Sequence, residues 1–483
     1  MLRSPALTLL NTALLLSVAI GSASAATNLN APSATAAFYD RVRPALVAVK
    51  YQWQRELQRI DIVGSGVVVR SDGLVMIPEL MVADGIPDSQ MKDFKIVVPS
   101  DTADPDEVPA VFVGRDPRAD VAFVKPAKDS RKWTAIQFVD EPDQVGERLF
   151  SLGLLSKDAG YKAFLTEATV AANLRGEEPQ ILVSGSLATV GGVVFDSSAQ
   201  AIGWIAPQNG QESFVESSGN PWVNVLVPPR FFIPTRFFQI SLDHPPTAGQ
   251  PLKIPWLGLG PMTGISKDLA DFLGLKNQPA VQIGDVIEDG PSATGGLKPS
   301  DIIIAMNGKP LGRGDLPDEI PQILARQIMR MKVGDKVTFT VMTQRGLPTR
   351  QVTVTLGQRP PSISVARRYY ASDLGFVARE AMFQDKYEHK ISLTDPAVVI
   401  DLVKPDGAAA NARLAQSDLI LQLNGSPVTD LDDFENTYKS FRANHPHDAV
   451  VLVVQEPNGQ EETLNIEPPE DAAGGAAPGV GGP

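Results

Sequence analysis

A chain of 483 residues is long enough for about three domains of ordinary size, and its 43% hydrophobic and 20% charged residues exclude wholesale disorder. A formal charge of −13 argues against a nucleic-acid binder, which needs a basic face, while the absence of cysteine removes disulfides, thiolate metal sites and cysteine nucleophiles. Forty glycines and forty prolines favour turns and short strands, so the expected fold is mainly β.

At the N-terminus, Arg3 precedes an apolar run from Ala6 to Ile20, and Ala23-Ser24-Ala25 offers the small residues that signal peptidase needs. Residues 1–25 therefore read as a secretory signal peptide. The run falls short of the roughly 20 residues that span a bilayer. The mature chain is expected to be exported, and periplasmic if its host is Gram-negative.

Residues 36–240 alternate short β-branched runs with turns. Candidate strands are Ala45–Tyr51, Gly66–Val69, Leu74–Ile77, Lys95–Val98, Val121–Val124, Val193–Phe195 and Ala201–Ile205. Short strands at regular spacing suit a pair of β-barrels. The acidic residues Asp101, Asp104, Asp106 and Glu107 lack the ordered spacing of a calcium loop, so no metal and no cofactor is expected.

The second half contains a repeat. Gly258, Gly290, Leu297, Ser300, Asp301, Asn307, Gly308 and Pro310 recur 117 residues later as Gly375, Gly407, Leu414, Ser417, Asp418, Asn424, Gly425 and Pro427. Each copy has an apolar-Gly-apolar turn, a strand (Val281–Ile287, Val398–Val403) and a second strand before Asn-Gly (Asp301–Met306, Asp418–Leu423). A helix (about 316–331, about 431–441) and a closing hairpin follow. The hairpins pair Val337–Met342 with Gln351–Leu356 and Ala449–Gln455 with Glu462–Ile466. Proline-rich linkers place the copies at 250–358 and 364–468, and 471–483 reads as a disordered Gly/Ala/Pro tail.

The ordered elements of these copies resemble PDZ domains of the bacterial, circularly permuted type: Trp256-Leu257-Gly258-Leu259 and Asp373-Leu374-Gly375-Phe376, Gly290-Pro291-Ser292-Ala293 and Gly407-Ala408-Ala409-Ala410, then the Ser-Asp and Asn-Gly pairs. The resemblance implies peptide binding by strand addition, with Leu257, Gly258, Leu259, Leu374, Gly375 and Phe376 forming the carboxylate turns and apolar sockets. Ile323 and Phe434 are the groove-lining candidates. In the first block, Gly64-Ser65-Gly66-Val67-Val68-Val69, Arg115-Asp116-Pro117-Arg118-Ala119-Asp120 and Ala188-Thr189-Val190-Gly191-Gly192 resemble three segments of HtrA/Deg serine proteases. Together these imply a chymotrypsin-like double β-barrel followed by two α+β PDZ domains.

Counting along the same segments puts the family's triad of histidine, aspartate and serine at Leu80, Asp120 and Val190. The four histidines, His244, His389, His445 and His447, all lie beyond the barrels. Leucine accepts no proton and valine offers no nucleophilic atom, so the expectation is a chain that is not an enzyme, with Asp120 capping a turn. Its expected work is that of a peptide-binding adaptor or chaperone-like protein for peptide C-termini or unfolded segments. Two alternatives are a serine endopeptidase with an unrecognised nucleophile, for which Ser184, Ser186 and Lys125 are the candidates, and a structural assembly protein. Family members are commonly trimers with aromatic residues near the N-terminus of the protease domain in the contact; Phe38 and Tyr39 occupy that place, unless they belong to the core of the first strand.

Overall fold

The computed structural model describes residues 32–469 apart from 84, 101–103, 129–130, 141–143, 175–179, 207–215, 218–230, 248–251, 276–277, 314–318 and 344–347; the expected signal peptide and C-terminal tail lie outside these residues. The chain enters through helix α1 (Pro32–Val42). Strands β1 (Leu46–Gln54), β2 (Arg59–Val68), β3 (Val75–Pro78), β4 (Met91–Val98), β5 (Asp106–Asp116) and β6 (Val121–Pro126) then pair in the order β1-β4-β5-β6-β3-β2. Antiparallel pairing of β1 with β2, Leu46 opposite Val67 through Gln54 opposite Arg59, closes them into a barrel.

A second closed barrel is built from β7 (Arg148–Leu154), β8 (Ala163–Leu174), β9 (Gln180–Gly185), β10 (Val193–Phe195), β11 (Ala201–Trp204) and β13 (Phe231–Pro234), while the short β12 (Glu216–Ser217) lies along β2 of the first. Helix α2 (Gln239–Asp243) ends the block. Val47, Val49, Ile77 and Val124 fill the first barrel, and Leu149, Val183, Val194 and Phe232 the second. A third core joins them, drawing Leu46 and Phe123 from one side and Phe150 and Trp204 from the other. Burial of each such side chain contributes roughly 1.5 to 3 kcal/mol.

Phe38 belongs to this joining core, but it stands on α1 and not on a strand. Its ring is 1% exposed and meets Phe195 edge to face at 4.9 Å. Tyr39 is half-buried, and its hydroxyl donates to the Ala163 carbonyl at 2.7 Å.

The first repeat, copy 1, contains β14 (Pro255–Trp256), β15 (Met262–Gly264), α3 (Lys267–Leu273), β16 (Val281–Ile283), α4 (Pro291–Gly295), β17 (Ile302–Met306), β18 (Lys309–Pro310), α5 (Ile320–Met329), β19 (Lys336–Met342), β20 (Arg350–Thr355) and β21 (Gly357–Gln358). Copy 2 follows with β22 (Arg368–Ala371), β23 (Phe376–Glu380), α6 (Phe383–Glu388), β24 (Val398–Val403), α7 (Ala408–Asn411), β25 (Leu419–Leu423), β26 (Ser426–Pro427), α8 (Leu431–Asn444), β27 (Val450–Gln455) and β28 (Glu461–Ile466). The sheets run β15-β16-β17-β19-β20 and β22-β23-β24-β25-β27-β28.

The shared turns explain the shared residues. Positive φ recurs 117 residues apart at Gly258 and Gly375, Asp289 and Asp406, Ser300 and Ser417, and Asn307 and Asn424. Asp301 and Asp418 each accept a backbone N–H three residues upstream, from Lys298 and Ala415, at 2.8 Å. The amide oxygens of Asn307 and Asn424 accept from the next strands, at Thr338 N (3.0 Å) and Val451 N (2.8 Å). A side chain that replaces a backbone partner in this way is why Asp and Asn suit such turns.

Candidate functional site

The barrel segments come together around the turn after β3. Residues Glu79–Val82 make a one-turn 3₁₀ helix with Met81 and Val82 buried. Tyr51 donates its hydroxyl to the Met81 carbonyl, and burial pushes that phenol well above its usual range. Glu79 N donates to the Asp120 carbonyl at 3.1 Å, which ties the turn that carries Leu80 to Asp120. The Leu80 side chain points outward, 38% exposed.

Asp120 has left-handed backbone, φ 52°. Burial raises its carboxyl above the ordinary aspartate range, Arg326 of α5 opposes that rise, and Asp116 adds to it. The capping expected of Asp120 is done by Asp116. The buried Asp116 carboxylate accepts Arg118 N at 3.0 Å, the Arg118 guanidinium at 2.9 and 2.8 Å, and Ser241 Oγ at 2.9 Å.

Val190 is 7% exposed, in a loop where three neighbouring backbone N–H groups are bonded within the protein. Ala188 N donates to Ser151 Oγ at 2.9 Å, Gly191 N to the Ile205 carbonyl at 2.8 Å and Gly192 N to the Thr189 carbonyl at 2.8 Å. Gly191 has φ 83°, and a Cβ there would lie 2.6 Å from the Ser65 carbonyl oxygen, so this position requires glycine. Ser184 lies on β9 of the second barrel and Lys125 on β6 of the first. Among the described residues no hydrogen bond joins a lysine to Ser184 or Ser186, and no cluster of His, Asp and Glu could hold a metal. The side chains at 80 and 190 are hydrocarbon and carry neither a base nor a nucleophile.

The turn of copy 1 is a left-handed corner packed against Pro291. Gly258 has φ 72°, and a Cβ there would strike Pro291 Cδ at 2.8 Å. Leu257 is buried in the copy 1 core and Leu259 packs on it. Among the described residues strand β15 is an edge of its sheet. Ile283 spends both backbone groups on the far side, its N–H on Asp301 O at 2.9 Å and its carbonyl on Ser300 N at 2.8 Å, while Ile265 N reaches Ala280 O at 3.2 Å. In an antiparallel ladder this alternation leaves the backbone of Met262 and Gly264 facing away from β16, at the open edge. Helix α5 packs beside β15, with Ile323, Leu324 and Ile328 buried and Arg330 placed over Phe237 of the barrel block at 5.2 Å. Its first helical turn carries Pro321, whose missing N–H costs nothing there.

Copy 2 places the same turn differently. Gly375 has φ 78°, and its N–H donates to the Ala371 carbonyl at 2.8 Å. Phe376 is fully buried and lies between two strands, opposite Ala371 of β22 and Val403 of β24. Phe434 stands in the core of copy 2 with Leu374 and Tyr438. Arg379, also buried, makes a two-pronged pair with Asp385 at 2.6 and 2.9 Å and a further bond to Asp401 at 2.8 Å. The buried Arg379 cluster, β22, α3 and α6 were not anticipated from the sequence; the only signals available were Ser266 before α3 and Asp385 three residues into α6, both helix-start marks.

Two closed six-stranded barrels followed by two PDZ-like sheets define a trypsin-like fold with two appended α+β modules. A family model described as a trypsin-like peptidase domain matches residues 64–203. The chain is 26% identical over 380 residues to a probable periplasmic serine endoprotease, DegP-like, of Brucella suis, covering 77% of this chain and 67% of that protein. A protein of the same description from Pseudomonas putida is 27% identical over 405 residues, covering 81% of this chain and 76% of that one. A solved HtrA-type protease, AlgW with tripeptide, aligns at TM-score 0.48 and 23% identity over 68% of this chain and 97% of that one. Over most of its length the chain is thus similar to DegP-like serine endoproteases, and its residues 64–203 match a trypsin-like peptidase domain.

These relatives are named serine endoproteases, which points to protease activity and corrects the expectation, drawn from Leu80 and Val190, that the chain is not an enzyme. They are also named periplasmic, and no helix among the described residues is long and apolar enough to cross a membrane.

Proposed function

We propose that this is an exported, periplasmic protein of protein quality control that captures peptide C-termini or unfolded segments by adding them as a strand to copy 1. The observation that carries the reading is the open edge of β15 beside the Gly258 turn, with backbone groups of Met262 and Gly264 facing outward and α5 as the wall. A short strand captured this way binds at micromolar levels, about −8 kcal/mol.

Calorimetric titration of the full chain with a peptide of apolar C-terminal side chain tests it. Amidating the peptide carboxylate is expected to weaken binding roughly tenfold to a hundredfold, since a charged acceptor is lost. Gly264→Pro, which removes an outward N–H from an edge strand that tolerates proline, is expected to weaken it at least tenfold. Equal affinity for free and amidated peptides would refute carboxylate capture.

A second reading, serine endopeptidase activity, is favoured by the names of the relatives. Labelling of a serine by a fluorophosphonate probe, with the site located by mass spectrometry, supports it. A folded chain that takes up no label speaks against it.

A further inference from the structure

The two turns that look alike in sequence end in different surroundings. The edge of β23 next to the Gly375 turn is paired along its length with β22, from Ala371 opposite Phe376 to Arg368 opposite Arg379. Strand β22 is antiparallel to β23 and runs toward the turn, the direction in which a peptide C-terminus would arrive. The Ala371 carbonyl holds the Gly375 N–H at 2.8 Å, where a terminal carboxylate would otherwise sit. Tyr369 leans on α8, edge to face with Phe434 at 6.0 Å and Tyr438 at 5.7 Å. Asp401 ties the strand down from the sheet, accepting from Arg368 Nε at 3.1 Å and Arg379 Nε at 2.8 Å. Arg367 continues the tie to Asp432 in the first turn of α8 at 2.8 Å.

We infer that Arg368–Ala371 is a built-in ligand that keeps the groove of copy 2 closed, so that peptide addition is confined to copy 1. The connection from β22 to β23 is only Ser372–Gly375. A segment on so short a tether has an effective concentration of at least millimolar order, which a free peptide of micromolar affinity does not overcome at micromolar concentration. The confinement to copy 1 rests on the capture reading above; the closure of copy 2 does not.

The test uses the full chain, which has no cysteine of its own. Tyr370 and Val377 lie directly opposite each other in the hairpin, at a spacing a disulfide can bridge. Tyr370→Cys combined with Val377→Cys therefore locks β22 in place on oxidation. The probe is a ten-residue peptide ending in leucine with a free carboxylate. The oxidised variant is expected to bind it at one site, within twofold of the wild-type affinity. A tenfold loss on oxidation, regained on reduction, would put the peptide in copy 2 and overturn the inference.

Hydrogen exchange of the wild-type chain without peptide is the second arm. The amides of Phe376, Ala378 and Glu380 are expected to exchange at least a hundredfold more slowly than those of Met262 and Gly264, and equal rates overturn the closure. A wild-type chain that takes up no such peptide refutes the capture reading, and the exchange contrast then decides the closure by itself.

Discussion

Copy 1 and copy 2 share their turn residues and differ at the edge that matters for binding. In copy 1 the chain reaches the Gly258 turn from β14, which pairs with β21 and, among the described residues, leaves β15 with a free side. In copy 2 it reaches the Gly375 turn from β22, which folds back on β23 and fills that side. Met262 in copy 1 corresponds to Arg379 in copy 2, 117 residues on, and the two residues summarise the contrast. One backs an open edge with a methionine. The other anchors a closed one with a buried cation held by two aspartates. Duplicated modules thus diverge through the segment that enters them more than through the turns they keep.

The largest expected effect comes from breaking the anchor of copy 2. Arg379→Ala leaves Asp385 without its cation and Asp401 with Arg368 alone, and should destabilise copy 2 by about 3 to 5 kcal/mol, the usual cost of removing one partner from a buried pair. Urea unfolding followed by exchange at β23 and β24 measures it. A loss no larger than that of Met262→Ala in copy 1 would erase the distinction between the two edges.

A smaller effect is expected at Tyr369→Ala. The ring is half-buried against Phe434 and Tyr438 with Lys439 Nζ above it at 5.5 Å, so its loss should cost about 1 to 3 kcal/mol and appear as faster exchange of Phe376–Glu380, with β15 unchanged. If β15 responded equally, the edges would be coupled and not independent.

The smallest concerns pH. Asp301 has Arg350 as its partner, whereas Asp418 faces Glu456, Glu462 and His389, and burial raises its carboxyl above the ordinary aspartate range. A raised folded value favours the protonated, folded form. The contribution is therefore full below the unfolded value of about 3.9 and is lost as pH rises through the folded one. Asp418→Asn should flatten this part of the pH dependence of copy 2 between acid and neutral pH. Unfolding midpoints of wild type and variant at several pH values would reveal it, and parallel curves would count against it.

Much of the fold was legible because the repeat writes its turns in residues that tolerate positive φ. Gly258, Ser300, Asn307 and their partners mark the same corners twice, and the strands between them follow from β-branched alternation. The segments at 64–69, 115–120 and 188–192 located the turns that carry Leu80, Asp120 and Val190. Two things were not legible. Strand β22 is four residues long with an arginine at its head, and no described residue at the corresponding place in copy 1 forms a strand to betray it. The Arg379 cluster draws on Asp385 in a helix and Asp401 on the next strand, a convergence that only tertiary packing creates. Phe38 likewise meets its ring partner, Phe195, across most of the length of the barrel block, a contact that sequence spacing does not announce.

That long-range contact has a consequence for the order in which the barrel block can close. Phe38 stands at the head of the block, yet its ring partner Phe195 lies near the far end. The joining core draws on both ends, so it is complete only once the chain through Phe195 is in place. Contacts of such sequence separation form late, which makes closure of the two barrels on each other a single concerted step of the whole block.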